Sequence, residues 1–289
     1  YWLKCYEIPE GDKNFKGRAI QNMLNIEPDD SVNALLRLRG LNDEEFVKSH
    51  YVVFATKNGT VKKTSLEAYS RPRTNGVNAI NIVEGDEVVD VRLTNGKNEI
   101  ILANRNGRAV RFDEDSIRTM GRVSTGVRGM KLDDGDDQVV GMIVVNNAET
   151  ETVMVVSENG YGKRSQVEDY RKTNRGGKGV KTFSITEKTG RLVAIKNVTD
   201  DNDLMIINKS GIAIRLAVSE CRVMGRATQG VRLINLSKKN DVIASVCKVM
   251  STEKEAEVSG DKDDENATPA TDVQATEAPQ TETQTTETE

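Results

Sequence analysis

The chain has 289 residues, with 41 Lys or Arg against 45 Asp or Glu and a formal net charge of −4. Its three cysteines, Cys5, Cys221 and Cys247, are odd in number and lack a Cys-x-x-Cys spacing, which argues against a disulfide framework or zinc site and fits a reducing cytosol. A single histidine, His50, with no Gly-x-Ser-x-Gly elbow or His-Glu-x-x-His helix, leaves little for catalysis, and no apolar run is long enough to span a membrane.

The chain opens inside a repeat. Tyr1-Trp-Leu-Lys-Cys5 reads as a basic strand, Lys16-Gly17-Arg18 as a basic loop, and Val32 to Leu38 as an apolar run, so the first repeat (about 1–38) is expected to be truncated. Residues 39–50 form a polar connection. The full unit then comes as Ala55-Thr-Lys-Asn58-Gly59-Thr-Val-Lys62-Lys63-Thr64. It returns at Ala103 to Phe112, at Val156 to Ser165 and at Ile207 to Leu216. The turn glycines, Gly59, Gly107, Gly160 and Gly211, stand 48, 53 and 51 residues apart by subtraction of their positions. A period near fifty with turn chemistry at a fixed phase marks a propeller-like array. Asn-Gly between apolar runs predicts two-residue hairpin turns.

A second glycine keeps phase with the first. Gly76, Gly126, Gly179 and Gly230 each close a basic loop and lead into another apolar run, followed by a turn such as Gly85-Asp86, Gly135-Asp136 or Asn240-Asp241. Asp86 and Asp136 are expected to bond backbone N–H groups there, as turn aspartates do. Complete repeats thus fall at about 51–93, 99–145, 152–198 and 203–249. The expectation is an all-β, six-bladed β-pinwheel or propeller over residues 1–250, with its first repeat cut. Residues 251–289 hold 12 carboxylates and 2 lysines with hardly any large apolar side chain, the composition of a disordered acidic tail. Removing those from the chain's 45 and 41 leaves the body with 33 carboxylates and 39 cations, a net of +6 against −10 in the tail. A basic body with an acidic tail points to nucleic acid.

Positive charge recurs at two phases. Lys62, Lys63, Arg108, Arg111, Lys163, Arg164 and Arg215 follow the hairpin turn. Arg71, Arg73, Arg118, Arg122, Arg171, Lys172, Arg175, Lys178, Arg222 and Arg226 occupy the long loop. Repetition would place them as a belt around the rim, suited to phosphates, with glycines allowing close approach and few aromatics for base stacking. Arg175-Gly176-Gly177-Lys178-Gly179 looks like a phosphate cradle but lacks the Walker spacing and its Ser/Thr.

Thr56-Lys-Asn-Gly-Thr-Val-Lys-Lys-Thr64, Thr125-Gly-Val-Arg-Gly129, Asn159-Gly-Tyr-Gly-Lys-Arg164 and Thr228-Gln-Gly-Val231 resemble the repeats of the C-terminal domain of the bacterial DNA gyrase A protein. The resemblance covers about residues 1–250 and implies a six-bladed pinwheel that wraps double-stranded DNA. It implies a cytoplasmic, nucleoid-associated holoenzyme, an A2B2 assembly of gyrase A and gyrase B proteins, using ATP and Mg2+ outside this segment, with no cofactor or metal and no catalytic residue here. The family's Gln-Arg-Arg-Gly-Gly-Lys/Arg-Gly box falls upstream of Tyr1, and Thr173 to Gly179 is the matching loop of another blade. The rival readings are the equivalent domain of topoisomerase IV, a protein-binding propeller and, weakest, a propeller hydrolase.

Overall fold

The computed structural model describes residues 1–251 except 13, 14, 28, 29, 39, 134 and 237–240. The expected acidic tail beyond Ser251, and Asn240 of the expected Asn-Asp turn, lie outside the described residues. Each repeat opens with an antiparallel hairpin rich in Val, Ile and Leu, the side chains that suit a pleated and buried surface. These hairpins are β1 (Tyr51–Thr56) with β2 (Thr60–Ser65), β4 (Glu99–Asn104) with β5 (Arg108–Asp113), β8 (Thr152–Ser157) with β9 (Tyr161–Gln166), and β12 (Asn202–Asn208) with β13 (Ala213–Ala217). A third strand returns to the first strand of each hairpin: β3 (Val88–Thr94), β7 (Val139–Val145), β11 (Leu192–Val198) and β15 (Ile243–Met250).

The fourth strand comes from the following repeat. β6 (Val127–Arg128) pairs with β2, β10 (Val180–Lys181) with β5, and β14 (Val231–Arg232) with β9. The second glycine makes this exchange sterically feasible. Gly179 has φ +72°, and a Cβ there would collide with the Ala109 carbonyl on the neighbouring strand. The described residues therefore form four blades, three of four strands and a last one, β15-β12-β13, of three.

Apolar clusters fill each gap between sheets. Val53, Leu102, Phe112 and Met142 join the first and second sheets. Ile101, Val155, Tyr170 and Ile195 join the second and third, and Met154, Leu204, Ile206 and Val246 the third and fourth. Adjacent residues such as Ile101 and Leu102 enter different clusters because successive side chains point to opposite faces of a strand. The first three sheets are thus covered on both faces. At the turn end the sheets are also laced by backbone bonds: Val139 N–H to the Lys57 carbonyl (2.9 Å), Leu192 to Arg105 (3.0 Å) and Ile243 to Glu158 (2.9 Å). A cavity of about 560 Å³ lined by residues of all four sheets lies among these contacts.

Three expectations are corrected. The turn is not a two-residue Asn-Gly turn, since Gly59 N–H donates to the Thr56 carbonyl (3.0 Å) and the glycine is the fourth turn residue, at φ +84°. The carboxylate that ties down the second turn is Asp137, accepting from Asn106 N–H, whereas Asp136 pairs with Arg191. Finally, neither Tyr1–Cys5 nor Val32–Leu38 is a strand; Cys5–Glu7 and Ile20–Asn22 are 3-10 turns, and the first α-helix is α1 (Glu44–Ser49), capped by Asp43. A strand needs a laddered neighbour, and none is present for either segment. Trp2, Leu36 and Leu38 instead pack with Phe46, Val52 and Phe54 against the first sheet.

Candidate nucleic-acid interface

The basic residues after the hairpin turn do not line the rim. Lys62 and Lys163 are 0% and 1% exposed. The Lys62 ammonium donates to the Ala79 and Arg122 carbonyls. Lys163 donates to the Gly225 carbonyl (2.8 Å), to the Arg226 carbonyl and to Ser165 Oγ (3.2 Å). Burial lowers both ammonium pKa values to about 8, with Arg122 and Arg226 respectively adding repulsion. Each lysine therefore clamps the basic loop of the next repeat from beneath.

The next position along the strand is equally structural. Lys63 Nζ donates to the Glu114 carbonyl (3.2 Å), lies 3.8 Å from its carboxylate and sits 5.0 Å from the Tyr51 ring centroid. Arg111 pairs with Glu99 (2.5 Å) and donates to the Val167 (2.9 Å) and Tyr170 (3.1 Å) carbonyls. Arg164 pairs with Asp200 (2.6 Å) and donates to the Val218 carbonyl (2.9 Å). Arg215 pairs with Asp203 (2.7 Å) and donates to the Met250 carbonyl (2.7 Å). The expectation that Lys62, Lys63, Arg111, Lys163 and Arg164 form a surface belt is corrected: these heads are buried or nearly so, and their donors are taken by carbonyls and carboxylates. Arg215 lies on an exposed residue, but its guanidinium too is held by protein partners.

The long loops are where positive charge meets solvent. Arg71, Arg73, Arg118, Arg171, Lys172, Lys178 and Arg222 are exposed. Lys172 is held between Glu99 (2.7 Å) and Asp113 (2.8 Å), and its hydrogen bond to Asp113, then that to Glu99, raise its pKa. The half-buried Arg175 and Arg226 brace the joints: Arg175 donates to the Ser116 (2.8 Å) and Arg128 (3.0 Å) carbonyls, and Arg226 to those of Asp169 (3.0 Å) and Lys181. Arg122 is half-buried, with its carbonyl taken by Lys62. Arg108, 43% exposed in its side chain, faces Asp133 at 4.0 Å.

Sequence reasoning missed four exposed cations. Arg128, Lys181 and Arg232 occupy the same place, second in the exchanged strands β6, β10 and β14, and Lys131 follows β6 closely. The signal was present as Gly-Val-basic at 126–128, 179–181 and 230–232, inside runs read as merely apolar. Because each exchanged strand is the outer edge of its sheet, these residues add a second tier of charge beside the loops. Among the described residues no group of three or more His, Cys, Asp or Glu is placed to hold a metal ion. His50 ends α1, its Nδ1 2.8 Å from the Phe46 carbonyl and its ring 4.0 Å from that of Phe46.

Residues 50–95, 98–146, 151–199 and 202–247 each match the repeat of the family described as DNA gyrase C-terminal domain, beta-propeller. The chain belongs to this family. Those four matches coincide with the four blades. The DNA gyrase A protein of Staphylococcus epidermidis is 43% identical over 249 residues, and that of Staphylococcus aureus (strain NCTC 8325 / PS 47) is equally so. In both cases the match takes in 86% of this chain and 27% of the relative, so the chain spans about a quarter of the relatives' length. Among solved structures, a crystal structure of the C-terminal domain of DNA topoisomerase IV superposes with TM-score 0.77 and 26% identity, over 91% of this chain and 79% of that one. A DNA gyrase A C-terminal domain superposes with TM-score 0.74 over 86% of this chain and 78% of that one, and at 24% identity this likeness concerns the fold. Among the described residues no helix is long and apolar enough to cross a membrane.

Proposed function

We propose that this gyrase-family propeller binds duplex DNA along its outer edge and bends it, without catalysing any reaction itself. The observation that carries this reading is the exposed charge repeated on successive blades. Arg71, Arg118, Arg171 and Arg222 recur in the loops, and Arg128, Lys181 and Arg232 in the exchanged strands. Phosphate contacts of this kind supply affinity without reading bases, so preference among sequences would arise from DNA deformability. Within a longer polypeptide the array would serve a type II topoisomerase by wrapping DNA for ATP-dependent negative supercoiling. The rest of the gyrase A protein, the gyrase B protein, ATP and Mg2+ would belong to that cytoplasmic holoenzyme. The 43% identity to gyrase A proteins favours gyrase over topoisomerase IV. The expected six-blade count belongs to this reading as well, and among the described residues β13 carries no short fourth strand of the kind that its three sister sheets have, so it is an open edge.

The test is a titration of the chain with a fluorescent duplex over a range of salt. If about six phosphates are neutralised, log affinity falls against log salt with a slope of roughly −5. An affinity indifferent to salt, or none at low salt, would overturn the proposal.

A further inference from the structure

The cations of the outer edge are not evenly used. In each exchanged-strand pairing, the basic residue faces one residue of the preceding hairpin: Arg128 faces Thr60, Lys181 faces Arg108, and Arg232 faces Tyr161. Only the second sheet sets two cations directly opposite each other, an arrangement that costs stability in a sheet unless an anion lies between. Arg232, by contrast, is satisfied by the Tyr161 hydroxyl, 2.9 Å from its Nη2.

Further charge gathers at the same place. The Arg175–Gly179 loop, which leads into β10, reaches back onto the segment that follows β6. Gly176 N–H donates to the Gly129 carbonyl (2.6 Å), and Lys131 N–H donates to that of Gly177 (2.9 Å). The Arg128 side chain lies about 3.8 Å from where a Gly176 Cβ would be. Lys178 Nζ is 2.9 Å from Asp133 Oδ1, and Arg108 Nε is 4.0 Å from Oδ2 of the same carboxylate. Asp133 is pulled below the usual carboxylate range first by the Lys178 hydrogen bond, against burial, with the fields of Lys178, Arg108 and Lys131 adding. Neighbouring carboxylates are committed elsewhere: Asp136 to Arg191 (2.5 Å), and the buried Asp137 to Asn104 (2.6 Å) and to backbone N–H groups.

We infer that this junction of the first and second sheets, where Arg108, Lys178 and Lys131 act on the carboxylate of Asp133 and Arg128 and Lys181 lie in the adjoining exchanged strands, is the main phosphate anchor of the array. Its ligand is the sugar–phosphate backbone of duplex DNA, held by adjacent phosphates; the inference deepens the DNA-binding reading and rests on it. Asp133 is a placeholder that keeps the Arg108 and Lys178 heads extended until phosphate oxygens take them. Gly177 leaves the approach open, since a Cβ there would meet nothing nearer than 3.8 Å. Charge-assisted bonds from several cations to adjacent phosphates give one strong fixed point, from which a duplex can be laid over the weaker charges of neighbouring blades.

The test compares the full chain with two triple variants, binding a short fluorescent duplex across a salt series. Lys131→Ala, Lys178→Ala and Lys181→Ala together should reduce the slope of log affinity against log salt by about 2–3, one phosphate per lysine. Lys48→Ala, Lys97→Ala and Lys209→Ala, which remove equal charge away from the exchanged strands, should leave the slope unchanged. An equal effect of the two triples, or no effect of the first, overturns the anchor while leaving DNA binding intact. A wild-type chain that does not bind at low salt overturns both. Asp133→Asn guards against misfolding as an explanation, because it should tighten binding several-fold by freeing two cations; weaker or unchanged binding counts against the anchor.

Discussion

The Arg111 guanidinium donates from Nη1 to the carbonyl of Tyr170, 3.1 Å away in the next repeat. A residue whose charge looks suited to phosphate is thus spent joining two blades. Its Nε and Nη2 hold Glu99 on its own hairpin, so one side chain fixes strand, partner strand and following repeat together. Arg111→Ala should cost about 2–4 kcal/mol, because it leaves the partly buried Glu99 with Lys172 alone and takes the guanidinium from two carbonyls of the next repeat. Arg71→Ala, on an exposed loop, should stay within about 0.5 kcal/mol. Urea midpoints of the two variants check this, and equal midpoints would remove Arg111 from the joint.

The buried lysines give the fold an unusual pH signature. Lys62 and Lys163 have pKa values near 8 in the folded chain, lowered chiefly by burial from the ordinary 10.5. Between those values the unfolded chain holds more protons than the native one, so stability rises with pH in that window. Below pH 8 both states carry the charge and the burial cost is fully present. Above 10.5 both are neutral and the cost has gone. Lys62→Met and Lys163→Met together should therefore flatten the rise that the wild type shows between about pH 8 and 10. Stability–pH curves of the same shape for wild type and double variant would refute the linkage. Tyr170, pushed up to about 12 by burial, works in the opposite direction above pH 10, which sets the upper end of the useful range.

The repeat architecture was legible because its turns leave a chemical mark. Gly59, Gly107, Gly160 and Gly211 must each complete a tight turn at positive φ, and their spacing alone locates four hairpins. The fate of Lys62 and Lys63 was not legible. Two consecutive lysines on a strand point to opposite faces, and a period of two then says that one of them is wet. Here both faces of the first sheet are covered, by the second sheet on one side and by the N-terminal segment on the other, and loop carbonyls of Ala79, Arg122 and Glu114 lie over the two ammonium groups. That covering depends on contacts up to 63 residues apart, as between Lys163 and Arg226, which no local pattern records. The exchanged strands were missed for a related reason. Two residues, such as Val180 and Lys181, are too short to show alternation, and their pairing partner belongs to the preceding repeat.

Strand exchange should make the second glycines more sensitive than the turn regions of ordinary loops. At Gly179, φ is +72°, and an added Cβ would strike the Ala109 backbone rather than a side chain able to move aside. Gly179→Ala should cost about 2–4 kcal/mol and release β10 from β5, since both the positive φ and the close approach oppose it. Gly85→Ala also carries positive φ, +78°, but meets nothing within 4 Å, so it should cost only about 1 kcal/mol. Hydrogen exchange at Val180 and Lys181, read alongside melting temperatures, separates local release from global loss. Equal costs for the two substitutions would mean that the exchanged strand adds little to cohesion.

The charge contrast along the chain leads to a last prediction. Residues 252–289 carry all 12 of the tail carboxylates and both of its lysines, a net of −10 on the same chain as a body of net +6. Covalent attachment would give those carboxylates an effective concentration that does not depend on the concentration of protein. The prediction is that they compete with phosphates for exposed cations such as Arg71, Arg118, Lys181 and Arg222, as Asp133 would for Lys178, which it holds at 2.9 Å. The competition is electrostatic, so it weakens as the screening length falls to about 8–10 Å near physiological ionic strength. Deleting residues 252–289 should tighten duplex binding several-fold in dilute buffer, with the gain shrinking as salt is added. Affinities of full-length and truncated chains that coincide across the salt series would show that the tail does not reach the cations.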